Sequence, residues 1–307
     1  MERGNHNHHH CHGVTVINPC CCHDQGEGGG VQRAEVRIRL MEATTFYLRH
    51  EGDDSNDGLT PETAFKTWEG MIDGVTAYDF NWKTVTFDIG PGTWTGPFQF
   101  SGNTVGAIGN TVFRGAGRGV TVIDAAGGTG FNLYGLMLGG GYGLITSLTI
   151  KNHLNGIMAW YNTMFDVDDV EFARCVSTSA AYNIRLYMSS RYVHFTDVSQ
   201  PRNIYVTDCI AGAHILASSW SDVMLSNHVV HLSGANKWIL GCLQAVKGSL
   251  ITVAHDKFRV TGTGTATGRR YYLNTFGYIM GTGGNQNLFP GDQAGHVDTA
   301  SHALYLN

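Results

Sequence analysis

The chain has 307 residues, with 41 Gly against 6 Pro, 42% hydrophobic and 15% charged residues, and a formal net charge of -5. The length allows a full hydrophobic core, while the composition excludes disorder and points away from a helical bundle toward turn-rich β structure. The charge excludes the basic excess of a general nucleic-acid binder, and no apolar run reaches the ~18 residues that span a bilayer. Neither nucleic acid nor membrane is therefore expected as a partner. The N-terminus also lacks the apolar core of a secretory signal, so synthesis in the cytosol is expected.

Residues 1–30 form a distinct segment that holds six of the fifteen histidines and four of the seven cysteines, closed by GEGGG, which reads as a flexible linker. His6, His8, His10 and His12 alternate, so an extended chain would place them on one face. If three such chains met, two layers would offer six imidazoles to a transition metal. Cys11, Cys20, Cys21 and Cys22 suit inter-chain disulfides or docking to a neighbouring protein, because adjacent cysteines rarely bridge each other. An anchor, a transition-metal site and an inert leader all remain open for this segment. Cys175, Cys209 and Cys242 stand among apolar residues and read as small buried hydrophobes.

Residues 31–82 come next. VQRAEVRIRLM alternates apolar and charged residues, the pattern of a strand buried on one face, and TTFYLR follows as a second strand. EGDDSNDGLTPETAF then begins like a calcium loop, but position 12 counted from Asp53 is Ala64, where an EF-hand needs a bidentate Glu. Its Asp and Asn residues read instead as turn formers. The spacing predicts a helix entered through Thr60 as N-cap, Pro61 at the first helical position and Glu62 against the helix dipole. Phe65, Trp68, Met71 and Ile72 recur on one face of that helix and are predicted to plug the open N-terminal end of the β structure.

From residue 83 to residue 307 the chain is a series of short β-branched and aromatic runs separated by Gly, Asn, Asp and Ser. The apolar markers Val122, Leu148, Val170, Val193, Val223 and Ile251 stand 26, 22, 23, 30 and 28 residues apart. These intervals are too short for propeller blades and suit a solenoid whose loops vary in length. The predicted fold is all-β: a right-handed single-stranded parallel β-helix with a short N-terminal capping helix and an extended N-terminal anchor segment.

The strand, polar turn and SNDGLTPETAFKTW together resemble the entry motif of phage tailspikes and related pectate-lyase-like β-helix proteins. VTFDIGPGTWTG and TVFRGAGRGVTVIDA are similar to the first and second coils of that superfamily. GRRYYLNTFGYIMGTGGNQNLFPGDQAGHVDTASHALYL resembles a terminal coil of short phage β-helix proteins. The resemblance implies a virion appendage, usually a homotrimer, made in a bacterial host; residues 1–30, whose His and Cys content departs from the motif, are expected to attach it to other virion proteins. The resemblance also implies either adhesion to host-surface polysaccharide or its degradation by a lyase or glycoside hydrolase.

For such chemistry the densest carboxylate run is FDVDDVEFAR. With Val170 and Phe172 facing inward, Asp169 and Glu171 are expected to share the outer face of one strand, near the spacing of a glycosidase carboxylate pair. Asp197, Asp208 and Asp222 are expected at comparable points of later coils. Asp at coil turns is ordinary, however, and these strand-end residues read chiefly as turn formers. Trp160, Tyr161, Tyr182, Tyr187, Tyr192 and Trp220 are candidate sugar-stacking platforms, or else fill a core or a seam between subunits.

Overall fold

The computed structural model of the protein describes residues 37–101, 110–127, 133–175, 178–193, 199–254, 257–282 and 286–306. His6, His8, His10, His12, Cys11, Cys20, Cys21, Cys22 and Asp197 lie outside the described residues, as does most of the first predicted strand.

The protein is all-β, built of long parallel sheets, with no closed barrel. The strands stack in three columns. The first runs from Thr44–Leu48 through Val85–Ile89, Asn110–Gly115, Tyr142–Lys151 and Met164–Ala173 to Leu304–Leu306. The second runs from Gly92–Thr95 and Thr121–Asp124, through the later halves of Tyr142–Lys151 and Met164–Ala173, to Arg202–Thr207, His228–Ser233 and Arg259–Gly262. The third runs from Phe98–Ser101 through Tyr134–Gly139, Asn155–Trp160, Thr178–Leu186 and Ile210–Ala217 to His296–Val297. The chain visits the columns in the same order coil after coil, and each coil lies parallel on the one before.

Parallel, in-register stacking explains the sequence texture. Alternate residues of each strand point inward, so identical positions of successive coils form apolar ladders. In the first column Phe46, Phe87, Phe113, Ile145 and Val167 are in register. The Phe87 and Phe113 rings stack 5.3 Å apart. In the third column Leu136, Ile157, Ile184, Ile215 and Leu243 do the same. Each such buried side chain is worth about 1.5–3 kcal/mol relative to exposure.

The first coil differs from the prediction. The helix, α1, spans Trp68–Val75, and its N-cap is Thr67, whose hydroxyl accepts from the Gly70 N–H at 3.0 Å. Thr60, Pro61 and Glu62 therefore do not start it. They lie in a separate turn, where the Thr63 N–H reaches the Thr60 hydroxyl at 3.2 Å. The reason is that residues 58–65 are engaged elsewhere. Tyr47 N–H donates to Gly58 O, Arg49 N–H to Phe65 O, and Phe65 N–H to Tyr47 O, so this stretch lines the free edge of Thr44–Leu48. A helix there would strip that edge of its partners. Gly58 has φ +69 and the Phe65 ring fills the space a Cβ would need.

The aspartates before it work as turn formers. Asp53 Oδ1 accepts from Ser55 N–H at 2.9 Å, and Asp57 Oδ1 from Leu59 N–H at 3.0 Å. Asp54 Oδ1 accepts from the Lys66 and Thr67 N–H groups at 2.8 Å each, which ties the turn to the start of α1. Donation by the Leu59 N–H and the Thr63 hydroxyl holds the Asp57 carboxyl below the usual range. Of the four predicted plug residues, Phe65, Trp68 and Met71 are buried and Ile72 is half-buried against the core. Trp68 stacks on Phe98 at 4.5 Å and its indole N–H donates to Gln99 O at 2.9 Å.

One corner is repeated in consecutive coils from Tyr161 to Phe276. Where the third column turns into the first, two consecutive residues take left-handed backbone: Tyr161–Asn162, Met188–Ser189, Ser219–Trp220, Lys247–Gly248 and Thr275–Phe276. The corners are hydrogen-bonded to one another, from Asn162 N–H to Met188 O, Ser189 to Ser219, Trp220 to Lys247 and Gly248 to Thr275. A buried Ser or Thr closes several of them, as Thr163, Ser190 and Ser221 each donate a hydroxyl to the carbonyl three residues earlier. Left-handed backbone costs a non-Gly residue about 1–2 kcal/mol, which the corner ladder offsets.

Candidate functional site

The outer face of the second column carries the densest polar cluster outside the core. Val170 and Phe172 are buried, as expected, and Glu171 between them faces out. Asp169 does not continue that alternation. Its φ is +53, and the pairing with Tyr142–Lys151 skips it, so it sits on the corner between the first and second columns. The two carboxylates consequently have separate partners. Asp169 Oδ1 is 2.6 Å from Arg118 Nε, whereas Glu171 accepts from the Thr149 hydroxyl at 3.0 Å and the Thr207 hydroxyl at 2.7 Å. A glycosidase pair needs one carboxyl free to donate a proton and the other free to act on the sugar or a water. Here both are held by protein donors, one of them in an ion pair.

Arg118 reaches this face from the glycine-flanked turn of GAGRGV, and its guanidinium lies 3.3 Å above the centre of the Tyr205 ring. Tyr205 in turn stacks on His231 at 4.3 Å with the planes 11° apart. The His231 ring is fixed at both nitrogens, by Asn203 Oδ1 at 3.0 Å and the Thr261 hydroxyl at 2.8 Å. Partial burial, helped by the Arg118 charge, holds this imidazole below its ordinary pKa. Thr149, Glu171, Tyr205, His231 and Thr261 occupy one register position in consecutive coils, so the shelf is straight. Such an arrangement offers a cation, an aromatic face, hydroxyls and carboxylates to an elongated polar ligand.

Beneath the shelf is a buried ion pair. Arg202 Nε donates to Asp166 Oδ2 at 2.9 Å, with the side chains 8% and 0% exposed, and Asp168 stands 3.5 Å from the same guanidinium. Asn203 N–H also donates to Asp168 Oδ1. Nearby, burial and the Asp166 charge push the Tyr192 phenol well above its ordinary range, and its hydroxyl lies 2.8 Å from His228 Nε2. Removing the cation would break this buried ion pair. Arg202→Met is expected to cost about 3–5 kcal/mol, read as a fall in the urea midpoint, whereas Arg118→Ala at the exposed pair should change stability by less than about 1 kcal/mol.

The remaining candidates are dispersed. Asp208 accepts from Ala235 N–H at a corner after the second column, and Asp222 stands on the first column beside Arg191 at 3.3 Å, so neither joins Asp169. Tyr192 and Tyr182 are buried and cannot serve as platforms. Tyr161 and Trp220 are exposed, and Tyr161 stacks on Trp160 at 5.6 Å beside a cleft of about 340 Å3 lined by Gln99, Phe100, Ser101 and Met137. Cys175, Cys209 and Cys242 are buried free thiols, and burial pushes Cys242 up. Among the described residues no group of three or more His, Cys, Asp or Glu side chains is placed to hold a metal ion.

Sequence reasoning missed Arg118, Tyr205 and His231. They are 87 and 26 residues apart, and only the stacking order brings them together. The lone Arg between two glycines was the one local signal.

No family model, curated protein or solved structure matches this chain. The fold defines the class of protein as all-β with long parallel sheets.

Proposed function

We propose that the protein is a structural or adhesion component of a tailed-phage-like virion, a trimeric fibre or spike attached through residues 1–30 and presenting its second-column face to host-surface glycan. Its finer architecture is then a right-handed single-stranded parallel β-helix, the hand that nearly all parallel crossovers adopt. In that architecture α1 and residues 58–65 act as the end cap, since they lie on the free edges of the first strands. What supports the reading is the stack of parallel strands together with the backbone hydrogen bonds that residues 58–65 make to the free edge of Thr44–Leu48. Covered edges let a rod of parallel coils stand alone without edge-to-edge aggregation.

The second reading, a polysaccharide lyase or glycoside hydrolase, draws on the shelf itself, where Arg118, Glu171, Tyr205 and His231 converge. Incubation of the purified protein with capsular or lipopolysaccharide glycan separates the two. Adhesion predicts retention of the glycan without release of new reducing ends, and loss of retention by at least tenfold in Tyr205→Ala. Release of oligosaccharide that stops in Glu171→Gln, with folding unchanged, would establish the enzyme instead. Location is read separately, by antibody against residues 1–30 on intact particles.

A further inference from the structure

The left-handed corners carry side chains that such corners do not favour. Positive φ suits Gly and Asn, which do stand at Gly140, Gly141, Asn162 and Gly248. Yet Trp82, Tyr161, Met188, Trp220 and Phe276 also occupy these positions, all with positive φ and between 46% and 73% exposed. Each bears two penalties at once, strained backbone and an apolar side chain in water. The corners from Tyr161–Asn162 to Thr275–Phe276 are hydrogen-bonded one above another, so Tyr161, Met188, Trp220 and Phe276 line one edge of the stack as a ridge, with the exposed Lys247 among them. Trp220 leans over Gly248, where a Cβ would collide with its ring, and Phe276 stacks on His302 at 5.3 Å.

We infer that this ridge is where parallel copies of the chain meet, side by side along a common rotation axis that runs parallel to the stack. The inference rests on the proposed trimeric reading and assigns its contact face. Three observations select a second copy as the occupant. The first is extent: from Tyr161 to Phe276 the hydrogen-bonded corners climb four coil steps, about 19 Å at strand spacing, so an elongated partner fits. The second is area. The four ridge side chains, at roughly half exposure or more, offer about 500 Å2. Met224, Met280, Leu304 and Leu306, exposed on the adjoining outer face of the first column, add about 300 Å2. The total is near the roughly 800 Å2 per partner of a stable interface.

The third is chemistry. The apolar members of the ridge offer few of the hydrogen-bonding groups a glycan needs beside its stacking face, whereas the second-column shelf is rich in them. Rotation about an axis parallel to the stack also places identical corners at identical heights, so a ladder of apolar side chains meets its own repeat without a mismatch in rise.

The test uses the full chain. Tyr161, Trp220 and Phe276 are replaced together by Asn, a residue that tolerates left-handed backbone and already stands at 162. Mass is then measured by light scattering, and folding by the cooperativity of thermal melting. The expected result is a wild-type mass that is a multiple of the single chain and a cooperatively melting variant at the mass of one chain. A variant that keeps the wild-type mass overturns the ridge and leaves the trimeric reading standing. A wild type at single-chain mass overturns both. Should the triple variant fail to fold, Trp220→Cys with a short bis-maleimide decides. Covalent oligomers absent from the wild-type control support the ridge, and their absence from an oligomeric Trp220→Cys protein rejects it.

Discussion

Trp68→Ala is expected to lower stability by about 4–5 kcal/mol, the upper end for a large aromatic truncated in a core. Three separate interactions end with that ring. Its parallel stack on Phe98 is lost, along with its edge contact to Phe87 at 5.8 Å and its hydrogen bond to Gln99 O. The last of these matters because, among the described residues, Phe98–Ser101 is the end strand of its sheet and pairs with Tyr134–Gly139 alone. The cavity would open at the end of the aromatic ladder, where Phe87, Phe100 and Phe113 meet. Urea unfolding reads the effect. The exposed neighbour Glu69→Ala is the control and should stay within about 0.5 kcal/mol. Thr67→Ala, which removes the N-cap, should fall between them at about 1 kcal/mol. A Trp68→Ala protein with an unchanged midpoint would show that α1 contributes nothing to the stack.

That the first coil needed a cover was legible in the sequence; how it is covered was not. The Thr60–Pro61–Glu62 signal is a sound local helix start, but tertiary demand overrides it. The edge of Thr44–Leu48 requires backbone partners, and only an extended stretch at residues 58–65 supplies them. Trp68 and Met71 are buried on the helix as their spacing suggests, but Phe65, expected on the same face, lies before the helix and bridges to Leu48, because the boundary depends on what the preceding strand lacks.

The coil period was blurred for a similar reason. Leu148 and Val170 belong to the second column and Val223 and Ile251 to the first, so intervals taken across them mix two different paths around the coil. Val170 in fact pairs with Ile204, and Val223 with Tyr192. Within the first column Val223, Ile251 and Ile279 are evenly spaced. A cleaner marker was present in Thr163, Ser190, Ser221 and Ser249, the small hydroxyl residues that follow the left-handed pairs. Single Ser and Thr residues stand out in no hydropathy pattern, so a search on apolar markers passes over them. The shelf was half legible: the carboxylate run marks the right coil, but side-chain partners from other coils decide what the carboxylates do.

Acidification should unfold this protein well before its carboxylates titrate. His153 and His214 are fully buried on either side of Asn183, with His153 Nε2 3.0 Å from Asn183 Oδ1 and Asn183 Nδ2 2.9 Å from His214 Nδ1. The amide oxygen only accepts, so His153 Nε2 carries the proton; the amide nitrogen only donates, so His214 Nδ1 is bare. The Cys209 thiol, 3.6 Å from Asn183 Oδ1, is consistent with that orientation. Phe172 faces both rings edge-on and Trp238 packs on His214. Burial therefore lowers His153 to about 4 and His214 to about 3, the latter helped by the charge His153 would carry. Both folded values lie below the unfolded value near 6.5. The unfolded chain consequently takes up these protons first, so the stability is complete above about pH 6.5 and declines as pH falls toward 4 and 3. At about 1.4 kcal/mol per pH unit per group, the two sites together remove on the order of 5 kcal/mol by about pH 4.5. Asp54, Asp57 and Asp124 have folded values below 3.8 and lose their contribution only at lower pH, so they do not confound this window. Urea midpoints between pH 7.5 and 4.5 should fall steeply for the wild type and much less for His153→Gln/His214→Gln, whose remaining slope includes the contribution of His231, also held below its ordinary value. Equal slopes for the two proteins would remove the histidine pair as the cause.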